Sequence, residues 1–100
     1  MPIVVQYTTN VGPDEYDAVA SWMRFHDELP EGLIVHTAAV TKDGQMRVFD
    51  VWQSQGAHDR FVEGRLKPAI SEVVGQNEAG EPLSAPEVHQ LHSLVKPVRR

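Results

Sequence analysis

Two apolar runs dominate the hydrophobic pattern of the chain. Residues 33–40 read LIVHTAAV and residues 45–52 read QMRVFDVW, with TKDG between them. β-Branched and aromatic residues fill both runs, and Lys42-Asp43-Gly44 supplies turn chemistry, so the pattern predicts a β-hairpin. Apolar residues occupy both parities, as expected of strands covered on both faces. His36 and Asp50 interrupt this pattern. Each needs a partner or a lined pocket, because an unpaired buried polar group costs about 1–3 kcal/mol.

The remaining elements follow from similar signals. Residues 2–8 (PIVVQYT) read as a strand, and Asn10-Val11-Gly12 as a turn. Pro13 suits a first helical position and Asp14-Glu15 an acidic first turn, so a helix is predicted from there to about Leu29, where Pro30-Glu31-Gly32 stops it. Ser54 caps a second helix over 55–74, interrupted by Gly64 and Pro68, which predict a kink or two helical pieces. Residues 75–86 (GQNEAGEPLSAP) predict a mobile loop, and 88–95 (VHQLHSLV) a last strand. The order β-α-β-β-α-β predicts an α+β, ferredoxin-like domain: a four-stranded antiparallel sheet with two helices on one face. It spans residues 1–95, and the basic segment 96–100 reads as a flexible tail. The bare sheet face is not polar, which predicts a homodimer in which two sheets face each other.

Register decides which hairpin groups meet. A three-residue loop at 42–44 pairs Thr41 with Gln45, Ala38 with Val48 and His36 with Asp50. His36, Asp50 and Trp52 then share one face. The other face carries Leu33, Val35, Thr37, Ala39, Phe49 and Val51, and suits the helices. A two-residue Asp43-Gly44 turn would instead oppose His36 to Val51.

Composition narrows the function classes. The 100 residues hold nine basic and fourteen acidic groups, a net charge of −5, which argues against nucleic acid and anionic membranes. There is no cysteine, so thiol chemistry is excluded. No signal peptide or membrane span is visible, and a cytoplasmic protein is expected. The five histidines have no metal-ligand spacing, and neither a phosphate-binding loop nor a nucleophile elbow is present, so no metal and no cofactor are expected. His89 and His92 fall on opposite faces of the last strand. Helix one carries two apolar stripes, one of Tyr16, Val19, Ala20 and Met23, the other of Ala18, Trp22, Phe25 and Leu29. The second predicts that Trp22 and Phe25 are not both bare.

The segment VFDVWQSQGAHDRFVE, within this element order, resembles the dimeric α+β barrel superfamily, and in particular its antibiotic-biosynthesis-monooxygenase-like small proteins. The matching features are Asp50-Val51-Trp52-Gln53-Ser54 at the strand end and Phe61 on the following helix, and the similarity spans residues 2–95. It implies a dimer with a pocket between sheet and helices in each subunit. Members of this group include cofactor-independent oxygenases of polyketide aromatics, haem-degrading enzymes and isomerases. The haem-degrading members carry a Trp on helix two and a His ten residues later. Phe61 and Ser71 stand at those positions, which argues against haem degradation.

These observations leave two functions open. One is a cofactor-independent monooxygenase, isomerase or cyclase acting on an aromatic or polyketide-like molecule. His36 would be its base, Asp50 would hold the tautomer, and Trp52, Tyr7 and Phe61 would bind the hydrophobic ligand. The other is a non-catalytic ligand-binding or stress-associated dimer, in which His36 and Asp50 form a structural pair. Arg65 reads as a solvated helix residue.

Overall fold

Alternation of buried and part-exposed residues from Ile3 to Thr8 forms strand β1, with Ile3 and Val5 in the core. The computed structural model describes residues 1–9, 11–75 and 86–95. After β1 come helix α1 (Pro13–Met23), strands β2 (Leu33–Val40) and β3 (Met46–Trp52), helices α2 (Gln55–Phe61) and α3 (Lys67–Val73), and strand β4 (Glu87–Gln90). The antiparallel sheet has the order β2-β3-β1-β4, so the architecture is ferredoxin-like α+β.

The hairpin has the three-residue loop. Thr41 and Gln45 face each other through Thr41 N–H donating to the Gln45 carbonyl at 2.8 Å, and Gly44 takes φ +81°. That positive φ suits glycine and closes the loop as a bulged turn. His36 therefore pairs with Asp50 and Ala38 with Val48, as the pattern predicts. The register slips once, between Leu33 and Val35, so that Leu33 opposes Trp52 and Ile34 is extra. The bulge moves Leu33 onto the face of Trp52, where it packs against the core; its expected place on the other face is corrected.

The face assignment is also corrected. The helices cover the His36–Asp50–Trp52 face and leave the Val35–Thr37–Phe49 face uncovered among the described residues. Hydrophobicity explains the choice. Ile3, Val5, Val48 and Trp52 lie on the His36 face and are all buried, so the polar pair is carried into the interior with them. The uncovered face is mixed. Arg47 donates to Thr8 Oγ1 and to Gln6 Oε1, beside a 39 % exposed Phe49, while Val51 is shielded between Val4 and Val35 on the neighbouring strands.

Helix α1 stops six residues short of the expected end. Arg24 adopts the left-handed conformation (φ 55°, ψ 43°), and its N–H donates to the Ser21 carbonyl while Phe25 N–H reaches back to Ala20 at 3.0 Å. This is a Schellman closure built on an arginine where glycine is usual. It turns the chain sharply, so Phe25 is buried while Trp22 remains 52 % exposed. The second apolar stripe is thus not one helical face.

Ser54 caps α2 through Ala57 N–H donating to its Oγ at 3.1 Å. Between α2 and α3 the chain makes one wide π turn over Val62–Leu66, where Lys67 N–H donates to the Val62 carbonyl. Pro68 lacks an N–H and its ring crowds the carbonyl four residues back, on Gly64; the wider turn accommodates both. The expected interruption at Gly64 and Pro68 takes this form. β4 is shorter than expected, ending at Gln90, although Leu91 N–H still donates to the Pro2 carbonyl. His89 lies in β4 and His92 beyond it, so the strand does not set their relative faces. The loop expected at 75–86 and the tail 96–100 fall largely or wholly outside the described residues.

Candidate active site

The hairpin register sets Asp50 beside His36, and α1 brings Tyr16 to the other edge of the imidazole. His36 Nδ1 lies 2.6 Å from Asp50 Oδ1, and Tyr16 Oη lies 2.5 Å from His36 Nε2. A carboxylate can only accept, so in the neutral imidazole the Nδ1 proton faces Asp50 and the Nε2 lone pair accepts the Tyr16 hydroxyl proton. The Tyr16 and His36 rings are 2° from parallel with centroids 6.0 Å apart, which keeps the phenol oxygen near the plane of the Nε2 lone pair. The second Asp50 oxygen accepts from Trp52 Nε1 at 3.4 Å. A single file of hydrogen bonds thus runs Tyr16–His36–Asp50–Trp52.

Its surroundings are apolar. Phe25 meets the imidazole edge-on, with centroids 4.9 Å apart, and Phe61 packs on both Phe25 and Trp52. The left-handed turn at Arg24 delivers Phe25 to this position. Arg65 is not a solvated residue: its guanidinium donates to the Met23 carbonyl at 3.0 Å and lies over the Phe61 ring, tying the π turn to the end of α1. Asp50 is buried, and the His36 side chain keeps 18 % of its surface.

That remaining surface opens onto a cavity of about 500 Å³ between the sheet and the helices. Tyr7, Tyr16, Phe25, His36, Asp50 and Phe61 line its inner end, with Ile70, Ser71 and Val74 farther out. The volume lies within the range that accepts a drug-sized molecule. Burial, with Asp50 and Tyr16 nearby, pushes the Tyr7 phenol well above its usual value. Burial raises Tyr16 as well, helped by Asp50 and Asp17. Both phenols therefore stay protonated through the neutral range.

The structure brings together four of the five residues expected at the site: His36, Asp50, Tyr7 and Phe61. Trp52 is the exception. It is fully enclosed, with Val5 and Ala57 in the same core, and lies behind Asp50 instead of on the cavity wall. Tyr16 is the residue that the pattern hid. Its place in a helical apolar stripe made it look like simple packing, and only its hydroxyl, one helical turn into α1, hinted at more. His58 also lines the cavity, edge-on to Trp52 at 5.6 Å and bonded to Asp59. Among the described residues no cluster of three or more metal-ligating side chains forms, and no helix is long and apolar enough to cross a membrane.

No protein-family model matches the chain, and no curated protein sequence matches it. Solved structures do. A candidate antibiotic biosynthesis monooxygenase from Chloroflexus aurantiacus superposes with a TM-score of 0.68 at 13 % identity, over 96 % of this chain and 98 % of that one. Rv0793 from Mycobacterium tuberculosis gives 0.62 at 18 % identity, over 98 % and 100 %. SnoaB, a cofactor-independent oxygenase from Streptomyces nogalater, gives 0.58 at 15 % identity, over 96 % of each chain. The chain shares the ferredoxin-like α+β fold of these structures.

Proposed function

We propose that this chain, built on that fold, is a proton-transfer enzyme. It acts on an aromatic or polyketide-like small molecule bound in the cavity beside Tyr16 and His36. The observation that carries the reading is the polarity of the hydrogen-bond file. Asp50 orients the imidazole and fixes its tautomer, His36 Nε2 is the acceptor, and Tyr16 stands between that acceptor and the cavity. A proton leaving the substrate passes to the Tyr16 oxygen as the Tyr16 proton passes to Nε2. The imidazolium that forms is neutralised by Asp50. An isomerase or cyclase needs only this transfer. A cofactor-independent monooxygenase adds dioxygen to the substrate carbanion; an activated CH₂ becomes a carbonyl, dioxygen is reduced to that oxygen and water, and all the electrons come from the substrate. Similarity in fold to SnoaB supports this last version.

The assembly is proposed to be a homodimer through the uncovered sheet face, where Val4, Val35 and Phe49 offer apolar area around the Arg47 cluster. A second reading, a non-catalytic binding dimer, is favoured by one feature: both His36 nitrogens are already hydrogen-bonded, and among the described residues no buried side-chain polar atom lacks a partner.

Exchange of an activated C–H separates the two. In D₂O, the wild type is expected to accelerate loss of the C1 protons of 2-tetralone, followed by NMR, with His36→Gln and Tyr16→Phe reducing the rate by about 10². Exchange no faster than in buffer, or unchanged in both variants, favours the binding dimer.

A further inference from the structure

At the inner end of the cavity, among the described residues, Tyr7 is the polar group that the proton relay leaves unused. Tyr7 projects from β1 into the same chamber as Tyr16 and Asp50, and among the described residues its hydroxyl meets no hydrogen-bond partner in the protein. The other polar groups at this end are committed: Tyr16 to His36, His36 to Asp50, and Asp50 to Trp52. No buried side-chain polar atom among the described residues is left unpaired, so this hydroxyl opens onto the cavity, and a ligand that displaces water there must fill its hydrogen bond or incur the cost of an unpaired donor. The hydroxyl also remains a donor, because burial and the Asp50 carboxylate keep it protonated.

The charge balance of the walls restricts what it can meet. Asp50 is the carboxylate among the described lining residues, and Lys67, the lining ammonium, is held by Glu63 at 2.7 Å out on α3. Among the described residues no guanidinium lines this cavity; Arg65 is turned onto the Met23 carbonyl. A ligand carboxylate at the inner end would face Asp50 and lose its hydration without gaining a cation. An uncharged oxygen, in contrast, gains a donor.

We infer that Tyr7 is the positioning and specificity-determining residue of the cavity: its hydroxyl donates to an uncharged ligand oxygen, and the site selects neutral oxygen-bearing aromatics over carboxylates. The inference rests on the cavity of the proposed enzyme but not on turnover. It makes Tyr7 the group that sets which ligand atom lies beside Tyr16.

Naphthalene derivatives test this by calorimetry on the intact chain, since they share one ring system and differ only in the head group. For the wild type, 2-methoxynaphthalene, which accepts but cannot donate, is expected to bind about 5–10-fold more tightly than naphthalene. 2-Naphthoate is expected to bind at least about tenfold more weakly than 2-naphthol. In Tyr7→Phe, the advantage of 2-methoxynaphthalene over naphthalene should vanish while naphthalene itself binds as before. An equal affinity of wild type for naphthalene and its methyl ether overturns the proposal, and that comparison needs no variant to fold. So do naphthoate binding as tightly as naphthol, an unchanged preference in Tyr7→Phe, or no binding of any of the four compounds. The ranking reads ligand binding, whereas the exchange reads proton transfer. Failure of the relay would therefore appear in 2-tetralone exchange alone, and failure of the Tyr7 role in the ranking alone.

Discussion

Tyr16 Oη and Asp50 Oδ1 approach the two nitrogens of His36 from opposite edges, at 2.5 and 2.6 Å, so the imidazole is the middle link of a hydrogen-bonded file. The order of the file is set by the one member that cannot donate. With the Asp50 carboxylate as acceptor, the proton between it and His36 belongs to nitrogen, and in the neutral imidazole the Tyr16 proton points inward. The outward-facing group is then a phenol oxygen backed by a base.

Replacing Tyr16 by Phe removes the outermost link and leaves the ring. Proton exchange of an activated C–H substrate should fall by about 10²-fold, while stability changes by only about 1 kcal/mol. Urea unfolding followed by circular dichroism, run beside the exchange assay, checks both halves.

Trp52 has a structural role. It is fully enclosed and its indole N–H satisfies the inner oxygen of Asp50. Trp52→Phe should destabilise the fold by about 2 kcal/mol, through lost volume and one lost donor, with the same urea midpoint analysis as readout. A variant of wild-type stability with weakened ligand binding would instead put Trp52 on the cavity wall.

Arg24 holds a left-handed conformation that glycine adopts without a Cβ penalty. Its exposed pairing with Glu28, at 3.9 Å, contributes little. Arg24→Gly should therefore stabilise the protein by about 0.5 kcal/mol, even though glycine costs unfolded-state entropy. Gly32 is the opposite case. It has φ +88°, and a Cβ there would come within 2.5 Å of the Ala57 Cβ on α2. Gly32→Ala should cost about 2 kcal/mol or more, visible as a lowered melting temperature.

The two cavity phenols predict an alkaline limit to stability. Tyr7 and Tyr16 both have their ionisation raised in the folded state above the ordinary phenol value of about 10. Above that value the unfolded chain releases protons that the folded chain retains, so stability is full below about pH 10 and declines as pH rises beyond it. Urea midpoints measured from pH 8 to 11 should be level and then fall. The double variant Tyr7→Phe/Tyr16→Phe should lose most of the fall.

Much of the hairpin chemistry was legible before the structure. The turn at Lys42-Asp43-Gly44 predicted the pairing of His36 with Asp50, because loop length and a glycine in the left-handed region set the register together. Ser54 as a cap and the break near Gly64 and Pro68 were readable for similar local reasons. Three features were not. Tyr16 sits at a helical spacing shared with Val19, Ala20 and Met23, and periodicity cannot distinguish a packing ring from a hydroxyl aimed at a base. Arg24 ends α1 without the glycine that usually signals such a stop. The choice of helix-bearing face turned on the sum of Ile3, Val5, Val48 and Trp52, which outweighs two polar side chains that satisfy each other. A strand pattern apolar on both parities does not reveal that sum.

The protonation pattern of His36 tests the account most directly. Nitrogen-15 chemical shifts of the imidazole at pH 7, assigned by comparison with His36→Gln, report which ring nitrogen carries hydrogen. The hydrogen-bond file predicts a neutral ring with the proton on Nδ1 and an unprotonated Nε2 whose shift changes in Tyr16→Phe. A proton on Nε2, as the other tautomer or as a stable imidazolium, would leave no lone pair facing Tyr16 and would contradict the relay.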